Sequence, residues 1–463
     1  MSEATAAPAN GTAPLVMKFG GTSVQDAAAI RRLTGIVRAH VERRPVVVVS
    51  AFSRVTDELS ALARLAEGGA LTAAMEERAG ALIDRHAREA AALMEGDALE
   101  RLRGELAAAR RELPLVLGMM ATHPGTRRPL RDELLSWGER LSSHVVAAAL
   151  AADGVSSAWV DARRCIRTDE EHGRAEPRMD ETRLATRAAV APALQAGEVP
   201  VLGGFVGATE AGATTTLGRG GSDFSAALVG ASLDASEIQI WTDVSGFMTA
   251  DPRVVPSARS IPRLSYDEAA ELAYFGAKVL HPRTLHPAVE RGIPVRVCNS
   301  MAPNSASTLI GAAGGGGAAG VRAVAHKTGV TIVRITSARM LGASGFLRAI
   351  FEAFDRHQIV VDVVATSEVS VSLTVDQPDR IPQAARELER LGRVDVEEGY
   401  AIVCVVGEAL RTTPGIAARV FGALAEINVA LISQGASGIN LTFAVHAEDA
   451  ALAVRRLHDA CLA

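Results

Sequence analysis

The stretch Leu15-Val16-Met17-Lys18-Phe19-Gly20-Gly21-Thr22-Ser23-Val24 decides the fold of this 463-residue chain. Its apolar first half predicts a buried strand, and the helical composition of residues 26–44 predicts that the Gly-Gly-Thr-Ser turn opens onto a helix. Glycines let backbone N–H groups approach an anion closely, a helix N-terminus adds partial positive charge, and Lys18 adds a full one. This combination indicates a phosphate-binding loop, although a bare Gly-Gly pair is more often only a tight turn.

Two other apolar runs, residues 45–50 and 199–207, also end in polar or glycine-rich segments. Their continuous apolarity predicts strands covered on both faces, as in a parallel sheet between helices. Ligands bind such sheets at the carboxyl ends of the strands. We therefore expect Ser50 and Thr56, which follow the first of these runs, to share an edge with Lys18.

A second glycine-rich loop is Thr214-Thr215-Thr216-Leu217-Gly218-Arg219-Gly220-Gly221-Ser222-Asp223, followed by a predicted helix over 224–233. Glycines on both sides of Arg219 let backbone amides converge on an oxyanion, and Asp223 falls in the first helical turn. The guanidinium of Arg219 offers two parallel donors to a carboxylate or a phosphate. The loop therefore predicts a second part of an anion site.

Two weaker patterns complete the first part of the chain. Residues 131–141 predict a helix interrupted at Gly138, and its Glu139 is, on spacing alone, more often a surface carboxylate than a ligand. Residues 238–244 predict a strand that ends in Thr242 and Asp243.

The composition is that of a globular protein with several domains. Apolar residues make up 48% and charged residues 22%, with a net charge of −5, which excludes disorder over most of the chain and a basic nucleic-acid footprint. No apolar run approaches the roughly 18 residues needed to span a bilayer, and residues 1–14 resemble no targeting peptide. The four cysteines lie far apart without a C-x-x-C pair, which favours a reducing cytoplasm over a metal site or disulfides. We expect small-molecule and protein partners, no nucleic acid and no membrane.

An internal repeat follows the Gly- and Ala-rich residues 311–320, which predict a linker because a strand, not a helix, comes after them. The order β-α-β-β-α over 330–391 recurs over 400–462. Residues 394–397 can complete the first module. The second lacks a fourth strand, and residues 321–326 are the unclaimed candidate, which would nest the first module inside the second.

The motifs K-F-G-G-T-S-V, S-W-G-E, T-T-L-G-R-G-G-S-D, W-T-D-V, T-x-D-P-R and F-G-A-K-V-L-H-P follow in this order, and with them the chain resembles the aspartate kinases from Val16 onward. The resemblance implies an α/β amino acid kinase fold, with a parallel-rich central sheet between helices, over residues 15–310. Residues 1–14 would be a disordered tail and 311–320 a linker. The regulatory region 321–463 would hold two βαββαβ, ferredoxin-like ACT domains, the first over about 330–397 and the second over about 398–463, completed by 321–326.

The resemblance further implies phosphoryl transfer from Mg²⁺-ATP to the side-chain carboxylate of L-aspartate. The product is 4-phospho-L-aspartate, the first intermediate on the way to lysine, threonine and methionine. The implied roles are as follows: Lys18 and Asp223 in catalysis; Gly20, Gly21 and Ser23 in phosphate binding; Ser50, Thr56, Glu139, Arg219 and Ser222 in aspartate binding; Thr242, Asp243, Met248, Asp251, Arg253 and Lys278 in nucleotide binding. Many relatives carry tyrosine at the position of Met248, so base stacking there would be replaced by a thioether contact. Magnesium would arrive with ATP, without protein ligands of its own.

Paired ACT domains commonly bind an amino acid at a subunit interface, so the resemblance also implies feedback control and a homodimer or dimer of dimers. L-Lysine is preferred to threonine as the inhibitor, because a cationic ligand would pair with Asp362 and Glu368. The remaining implied effector residues are Met340, Gly345, Phe346, Leu347, Thr366 and Ser367. Ala343 stands where lysine-inhibited relatives often carry serine.

Two other functions compete with this interpretation. Other kinases of this fold phosphorylate glutamate, N-acetylglutamate or carbamate, but Glu139 with Arg219 favours a free α-amino acid, and paired ACT domains disfavour carbamate. A catalytically dead amino-acid sensor is the alternative from another class. Evidence against it is the presence of Lys18, Arg219, Asp223 and Asp243.

Overall fold

The computed structural model describes residues 13–69, 71–276, 280, 282–312 and 320–462. These residues form two compact units. The first takes its described residues from Met1–Phe247, Pro262–Leu264 and Val279–Ala313, and the second takes them from Met248–Ile261, Ser265–Lys278 and Gly314–Ala463. Within the predicted catalytic domain, residues 15–310, the described residues of Met248–Ile261 and Ser265–Lys278 belong to the second unit, and the domain bounds stay a prediction. Met248–Ile261 joins the second unit through apolar packing, because Ala250 and Val255 are part of that unit's core.

The elements of the first part of the chain are β1 (Leu15–Phe19), α1 (Ala27–Arg38), β2 (Pro45–Val49), α2 (Val55–Glu67), α3 (Ala73–Ala91), α4 (Gly96–Thr122), α5 (Arg127–Ala152), β3 (Ser157–Val160), α6 (Met179–Gln195), β4 (Val199–Gly203), β5 (Val206–Ala208), β6 (Thr214–Thr216), α7 (Gly221–Leu233), β7 (Glu237–Thr242), β8 (Arg263–Ser265), α8 (Tyr266–Phe275), α9 (His286–Glu290), β9 (Val295–Asn299) and β10 (Thr308–Gly311). The later elements are β11 (Gly320–Thr336), α10 (Phe346–Arg356), β12 (Val361–Thr366), β13 (Ser370–Val375), α11 (Ile381–Leu388), β14 (Arg393–Glu408), α12 (Ile416–Gly422), β15 (Val429–Gln434), β16 (Asn440–His446) and α13 (Ala450–Leu462). None of the described helices is both long enough and apolar enough to cross a membrane.

The first unit is built on a sheet with the strand order β3-β4-β2-β1-β7-β9-β10-β8. The pairs from β3 to β9 are parallel, and β10 runs antiparallel to β9. One apolar core joins β1, β2 and β4 to side chains of α1 through α5. The central strand β1 places Lys18 beside Val48 of β2 and Ile240 of β7. The α/β fold and the parallel-rich sheet expected from the sequence are confirmed.

Helix α5 runs without interruption through Gly138, where the sequence analysis expected a break. A Cβ atom at Gly138 would lie 2.9 Å from the Cβ of Ala51, closer than packed side chains allow. Glycine is therefore needed for close packing, because the helix must approach the end of β2 at this point. The next residue, Glu139, is consequently buried and not on the surface.

The second unit contains a six-stranded antiparallel sheet with the order β12-β13-β11-β14-β16-β15. Residues 321–326 and 330–336, treated as separate strands in the sequence analysis, form the single strand β11, which pairs with β14 along most of its length. Val324 and Ala325 lie opposite Val405 and Cys404, and Val333 lies opposite Val396. Both βαββα modules therefore share two long strands. Gly329, with φ +75°, allows the irregular register at the centre.

Candidate active site

The loops at the carboxyl ends of β1, β2 and β7 surround a cavity of about 510 Å³ in the first unit. It is lined by Lys18, Gly20, Gly21, Thr22, Ser50, Ala51, Phe52, Ser53, Arg54, Thr56, Asp57, Glu139, Phe205, Gly218, Gly220, Gly221, Ser222, Asp223, Thr242 and Asp243. Parallel strands bring these distant segments together, because their carboxyl ends meet at one edge of the sheet.

Lys18 and Asp223 form an ion pair at the base of this cavity. The Lys18 ammonium lies 2.6 Å from a carboxylate oxygen of Asp223, and both side chains are nearly buried. Asp223 reaches this position from the first turn of α7, a helix that is buried on almost every face. A Cβ at Gly20 would lie 3.6 Å from the Lys18 nitrogen, so larger side chains there would crowd the ammonium. The pair holds a cation close to the backbone of the first glycine loop.

The backbone donors of this loop differ from those expected. The N–H of Gly20 donates to the carbonyl of Trp241 at 3.1 Å and is therefore engaged within the sheet. Gly21 and Thr22 begin a short 3₁₀ turn, and their N–H groups have no hydrogen-bond partner among the described residues. The amides available to an anion are therefore those of Gly21 and Thr22. Thr22 was missed in the sequence analysis, although it stands in the same motif.

Ser23 does not line the cavity. Its hydroxyl lies 2.7 Å from that of Ser300 and donates more weakly to the Trp241 carbonyl at 3.4 Å, and the residue is 2% exposed. Ser23, the expected phosphate donor, is therefore a buried residue whose hydroxyl stabilises the loop through Ser300 and Trp241. Its distance from solvent follows from the 3₁₀ turn, which points residue 23 back toward the sheet.

Glu139 is the most perturbed carboxyl of the cavity. It is 3% exposed, and one carboxylate oxygen has no hydrogen-bond partner among the described residues. Burial raises the pKa of Glu139 to about 8, and the backbone N–H of Ala51 opposes this only in part. A buried carboxyl with an unused oxygen is suited to a cationic ligand such as an ammonium group.

Arg219 lies apart from the aspartate-binding residues with which it was grouped. It lines a neighbouring cavity of about 150 Å³ together with Arg174 and Arg283. Its side chain is exposed and makes no ion pair with another described residue. Gly218 lines both cavities, whereas Ser222 lines only the larger one. In this structure, Ser50, Thr56, Glu139 and Ser222 come together, and Arg219 stands at the boundary.

The cavity also contains residues that the sequence analysis did not single out. Arg54 and Phe205 both line it with left-handed backbone conformations, φ +69° and +65°. Such strain in non-glycine residues often accompanies functional sites. The signal for Arg54 was its position in the polar loop between Ser50 and Thr56. No sequence pattern singled out Phe205, because it lies within the apolar run 199–207 that predicts a buried strand.

The expected nucleotide-binding residues fall into three groups. Thr242 and Asp243 line the cavity, and the Thr242 hydroxyl donates to Asp243 at 3.2 Å. Met248, Asp251 and Arg253 belong to the second unit. There Asp251 accepts hydrogen bonds from the backbone and guanidinium of Arg253, and this lowers the pKa of Asp251. Lys278 lies outside the described residues.

The expected effector residues surround one end of the first βαββα module. Gly345, Leu347, Thr366, Ser367 and Glu368 are exposed, and Met340 and Phe346 are partly so. Asp362 differs, because its carboxylate is almost completely buried, lies 3.0 Å from the Lys327 ammonium and accepts a hydrogen bond from Tyr274. Asp362 therefore already has an internal cation. Among the expected acidic ligands, only Glu368 is exposed.

Comparisons with known proteins agree with this architecture. Residues 13–299 match the Amino acid kinase family, and residues 403–461 match the ACT domain. The lysine-sensitive aspartokinase 3 of Escherichia coli is 40% identical over 96% of this chain and 98% of its own length. The chloroplastic aspartokinase 1 of Arabidopsis thaliana is 36% identical over 96% of this chain and 79% of its own length.

Two solved structures of E. coli aspartokinase III are also similar. The complex with lysine and aspartate, in the T-state, has a TM-score of 0.83 and 38% identity, covering 97% of this chain and all of that one. The complex with aspartate and ADP, in the R-state, has the same TM-score and identity and covers 96% of this chain and 99% of that one. Fold and site thus define a small-molecule kinase built on a parallel sheet. The chain belongs to the amino acid kinase family and, within it, to the aspartokinases.

Proposed function

We propose that this protein transfers the γ-phosphoryl group of ATP to the side-chain carboxylate of L-aspartate. The observation that carries the proposal is one cavity that combines the Lys18–Asp223 pair with two free loop amides and the unpaired oxygen of Glu139. A carboxylate oxygen of aspartate attacks the γ-phosphorus, the bond to the β,γ-bridging oxygen breaks, and ADP leaves. The products are 4-phospho-L-aspartate and ADP.

The main barrier to this reaction is electrostatic, because the nucleophile and the donor are both anions. Lys18 and the N–H groups of Gly21 and Thr22 would neutralise charge on the transferring phosphoryl group, and they are held in place before the substrate arrives. Asp223 would keep the Lys18 ammonium aimed at the loop. A general base is unnecessary, because the aspartate side chain is already ionised near pH 7.

Magnesium would be held mainly by the phosphates of ATP. The described residues contain no group of three or more His, Cys, Asp or Glu side chains that could hold a metal ion. The cavity does contain the carboxylates of Asp223 and Asp243, and hard oxygen ligands of this type suit Mg²⁺ when most of its shell comes from phosphate and water. When bound, the ion would neutralise charge on the phosphates.

Aspartate would be recognised through its α-ammonium and α-carboxylate groups. The ammonium group pairs with Glu139, and the polar side chains of Ser50, Thr56 and Ser222 surround the rest of the substrate. The resemblance assigns the α-carboxylate to Arg219. Nucleotide contacts are proposed for Thr242 and Asp243, and those assigned to Met248, Asp251, Arg253 and Lys278 stay predictions.

Feedback inhibition by L-lysine is proposed for the module that contains Glu368. Support comes from the lysine-sensitive E. coli relative and from its structure in complex with lysine and aspartate. We further propose a homodimer or dimer of dimers assembled through the ACT modules. A cytoplasmic location is also proposed, based on the four widely spaced cysteines.

The first test is turnover of Mg²⁺-ATP with L-aspartate, with the acyl phosphate trapped as a hydroxamate, with and without L-lysine. We expect aspartate-dependent product that lysine suppresses. Product that is indifferent to lysine would leave the kinase in place and overturn the choice of inhibitor. Product formed only with L-glutamate would overturn the substrate, and no product with either amino acid would favour the sensor.

A further inference from the structure

Asp132, which the mechanism above does not use, is a buried carboxylate with four hydrogen bonds. It lies in α5 and is 1% exposed. One oxygen accepts the hydroxyl of Thr216 at 2.6 Å, and the other accepts the backbone N–H groups of Thr216 at 3.2 Å and Gly173 at 3.0 Å. His172 Nδ1 lies 2.9 Å from the same second oxygen. The donors come from two segments distant from Asp132 in the sequence, the loop with His172 and Gly173 and the end of β6 at Thr216.

These two segments approach each other near Gly218, which lines both the large cavity and the small one. Thr216 ends β6 and is followed directly by the loop that carries Arg219, Ser222 and Asp223. The second loop crosses beside it, because the carbonyl of Thr216 accepts the N–H of Ala175 at 2.9 Å. A Cβ at Gly218 would lie 3.3 Å from the carbonyl of Gly173. Asp132 thus binds both segments that meet where the Arg219 loop begins, the end of β6 and the loop that contains Gly173.

The same helix also carries Glu139. Residues seven apart in an α-helix lie almost two turns apart on one face, about 10 Å along the axis. Asp132 and Glu139 therefore belong to one rigid helix. Asp132 binds the start of the Arg219 loop, and Glu139 lines the cavity. The distance between the ammonium-binding and the carboxylate-binding sides of the cavity is set through α5.

We propose that Asp132 is a positioning residue for substrate recognition, which fixes the loop 217–223 relative to Glu139 so that Arg219 can reach the α-carboxylate of the amino acid. The inference rests on the proposed function. It requires a side chain with two accepting oxygens, since four donor groups from His172, Gly173 and Thr216 point at the carboxylate. Asparagine would place its NH₂ group either against the backbone N–H groups or against the Thr216 hydroxyl, which would then have to accept instead of donate, and either arrangement would weaken the hold on the loop.

The test compares steady-state kinetics of the full-length wild type with those of Asp132→Asn, Thr216→Val, Thr216→Ser and Arg219→Ala. A misplacement of about 1 Å by a mutation far from the reacting atoms can cost about 100-fold in catalytic efficiency. We therefore expect Asp132→Asn and Thr216→Val to raise the KM for aspartate by about tenfold or more, and the same direction is expected for Arg219→Ala, with the KM for ATP changed less than about twofold. Thr216→Ser keeps the hydroxyl donor and should restore most of the affinity.

Other outcomes have defined meanings. A loss of kcat with both KM values unchanged, or equal increases in both, would show a merely structural role and overturn the inference. The same holds if Thr216→Ser and Thr216→Val behave alike. If Asp132→Asn fails to fold, the comparison of Thr216→Val with Thr216→Ser decides whether the inference holds. Absence of aspartate-dependent turnover in the wild type would instead overturn the proposed function and this inference with it.

Discussion

The ammonium of Lys18 lies 2.6 Å from a carboxylate oxygen of Asp223, although one residue stands in the first strand and the other in a helix far along the sequence. Both are nearly buried, so the pair is little screened by water. A buried ion pair is weak evidence for a contribution to stability, since desolvation opposes the Coulomb attraction. The pair lines the same cavity as Gly21 and Thr22, whose N–H groups have no partner among the described residues, and this is why a catalytic role is proposed for it.

Replacing Lys18 by Met should abolish phosphoryl transfer without loss of effector binding. Methionine has a similar length but no charge, and loss of a preorganised donor to the transition state costs about 100- to 1,000-fold in kcat. Turnover is measured by hydroxamate formation, and binding of L-lysine by calorimetry. Thr34→Ser, a conservative change in α1 remote from the cavity, is the control for expression and handling. Retained turnover in the Lys18 variant would refute the proposed phosphate contact.

The raised pKa of Glu139, about 8, predicts a pH-dependent affinity for aspartate. Below this pH the free cavity holds a protonated carboxyl, whereas an ammonium ligand favours the ionised form. The KM for aspartate should therefore fall as pH rises from about 6 to about 8, and binding near pH 7 should release up to one proton. Calorimetry in two buffers of different ionisation enthalpy counts that proton. Glu139→Gln should weaken binding and remove the pH dependence, and an unchanged profile in this variant would contradict the assignment.

The raised pKa of Glu139 also affects folding stability, which should fall with rising pH, whereas the affinity for aspartate should rise. The pKa of Glu139 is higher in the folded protein than its ordinary value of 4.5, so the unfolded chain releases the proton first. Stability should therefore decrease as pH rises from about 4.5 toward about 8, and Glu139→Gln should flatten this part of the curve. Urea unfolding at several pH values measures the difference between the two proteins.

Replacing Arg54 with glycine should stabilise the protein, whereas replacing it with alanine should not. Its backbone has φ +69°, a region that costs non-glycine residues about 1 kcal/mol or more, and its side chain is exposed. We expect Arg54→Gly to exceed Arg54→Ala by about 1 kcal/mol in the free energy of unfolding. Both variants lose the guanidinium, so the comparison isolates the backbone. Equal stability of the two would mean that the left-handed conformation is not retained in solution.

Asp362 and Glu368 should respond differently to loss of charge, although both were expected to bind the effector. Asp362 is buried with Lys327 and Tyr274, so Asp362→Asn should lower the free energy of unfolding by about 1–3 kcal/mol. Glu368 is exposed, so Glu368→Gln should leave stability within about 0.5 kcal/mol and weaken inhibition by lysine. Thermal unfolding and lysine titrations of activity measure both effects. Undiminished inhibition in Glu368→Gln would remove this residue from the effector site.

The sequence by itself determined the fold class, the order of the modules and most of the cavity. Short-range patterns suffice for this, because continuous apolar runs identify buried parallel strands and glycine loops identify their functional ends. Lys18, Glu139, Ser222 and Asp223, to which the resemblance assigned roles in one site, line the same cavity, and their roles stay predictions.

Only the tertiary structure decided which groups are free to act there. The Gly20 amide is bonded to the Trp241 carbonyl and the Ser23 hydroxyl lies against that of Ser300, whereas Lys327 pairs with Asp362. Asp132 accepts four hydrogen bonds from three residues that are distant in the chain. It also joined the strands of the two modules into the long strands β11 and β14. Each of these outcomes depends on which residues far apart in the chain come within hydrogen-bonding distance. That information is absent from local composition and spacing, since burial and partner choice arise only when the elements pack.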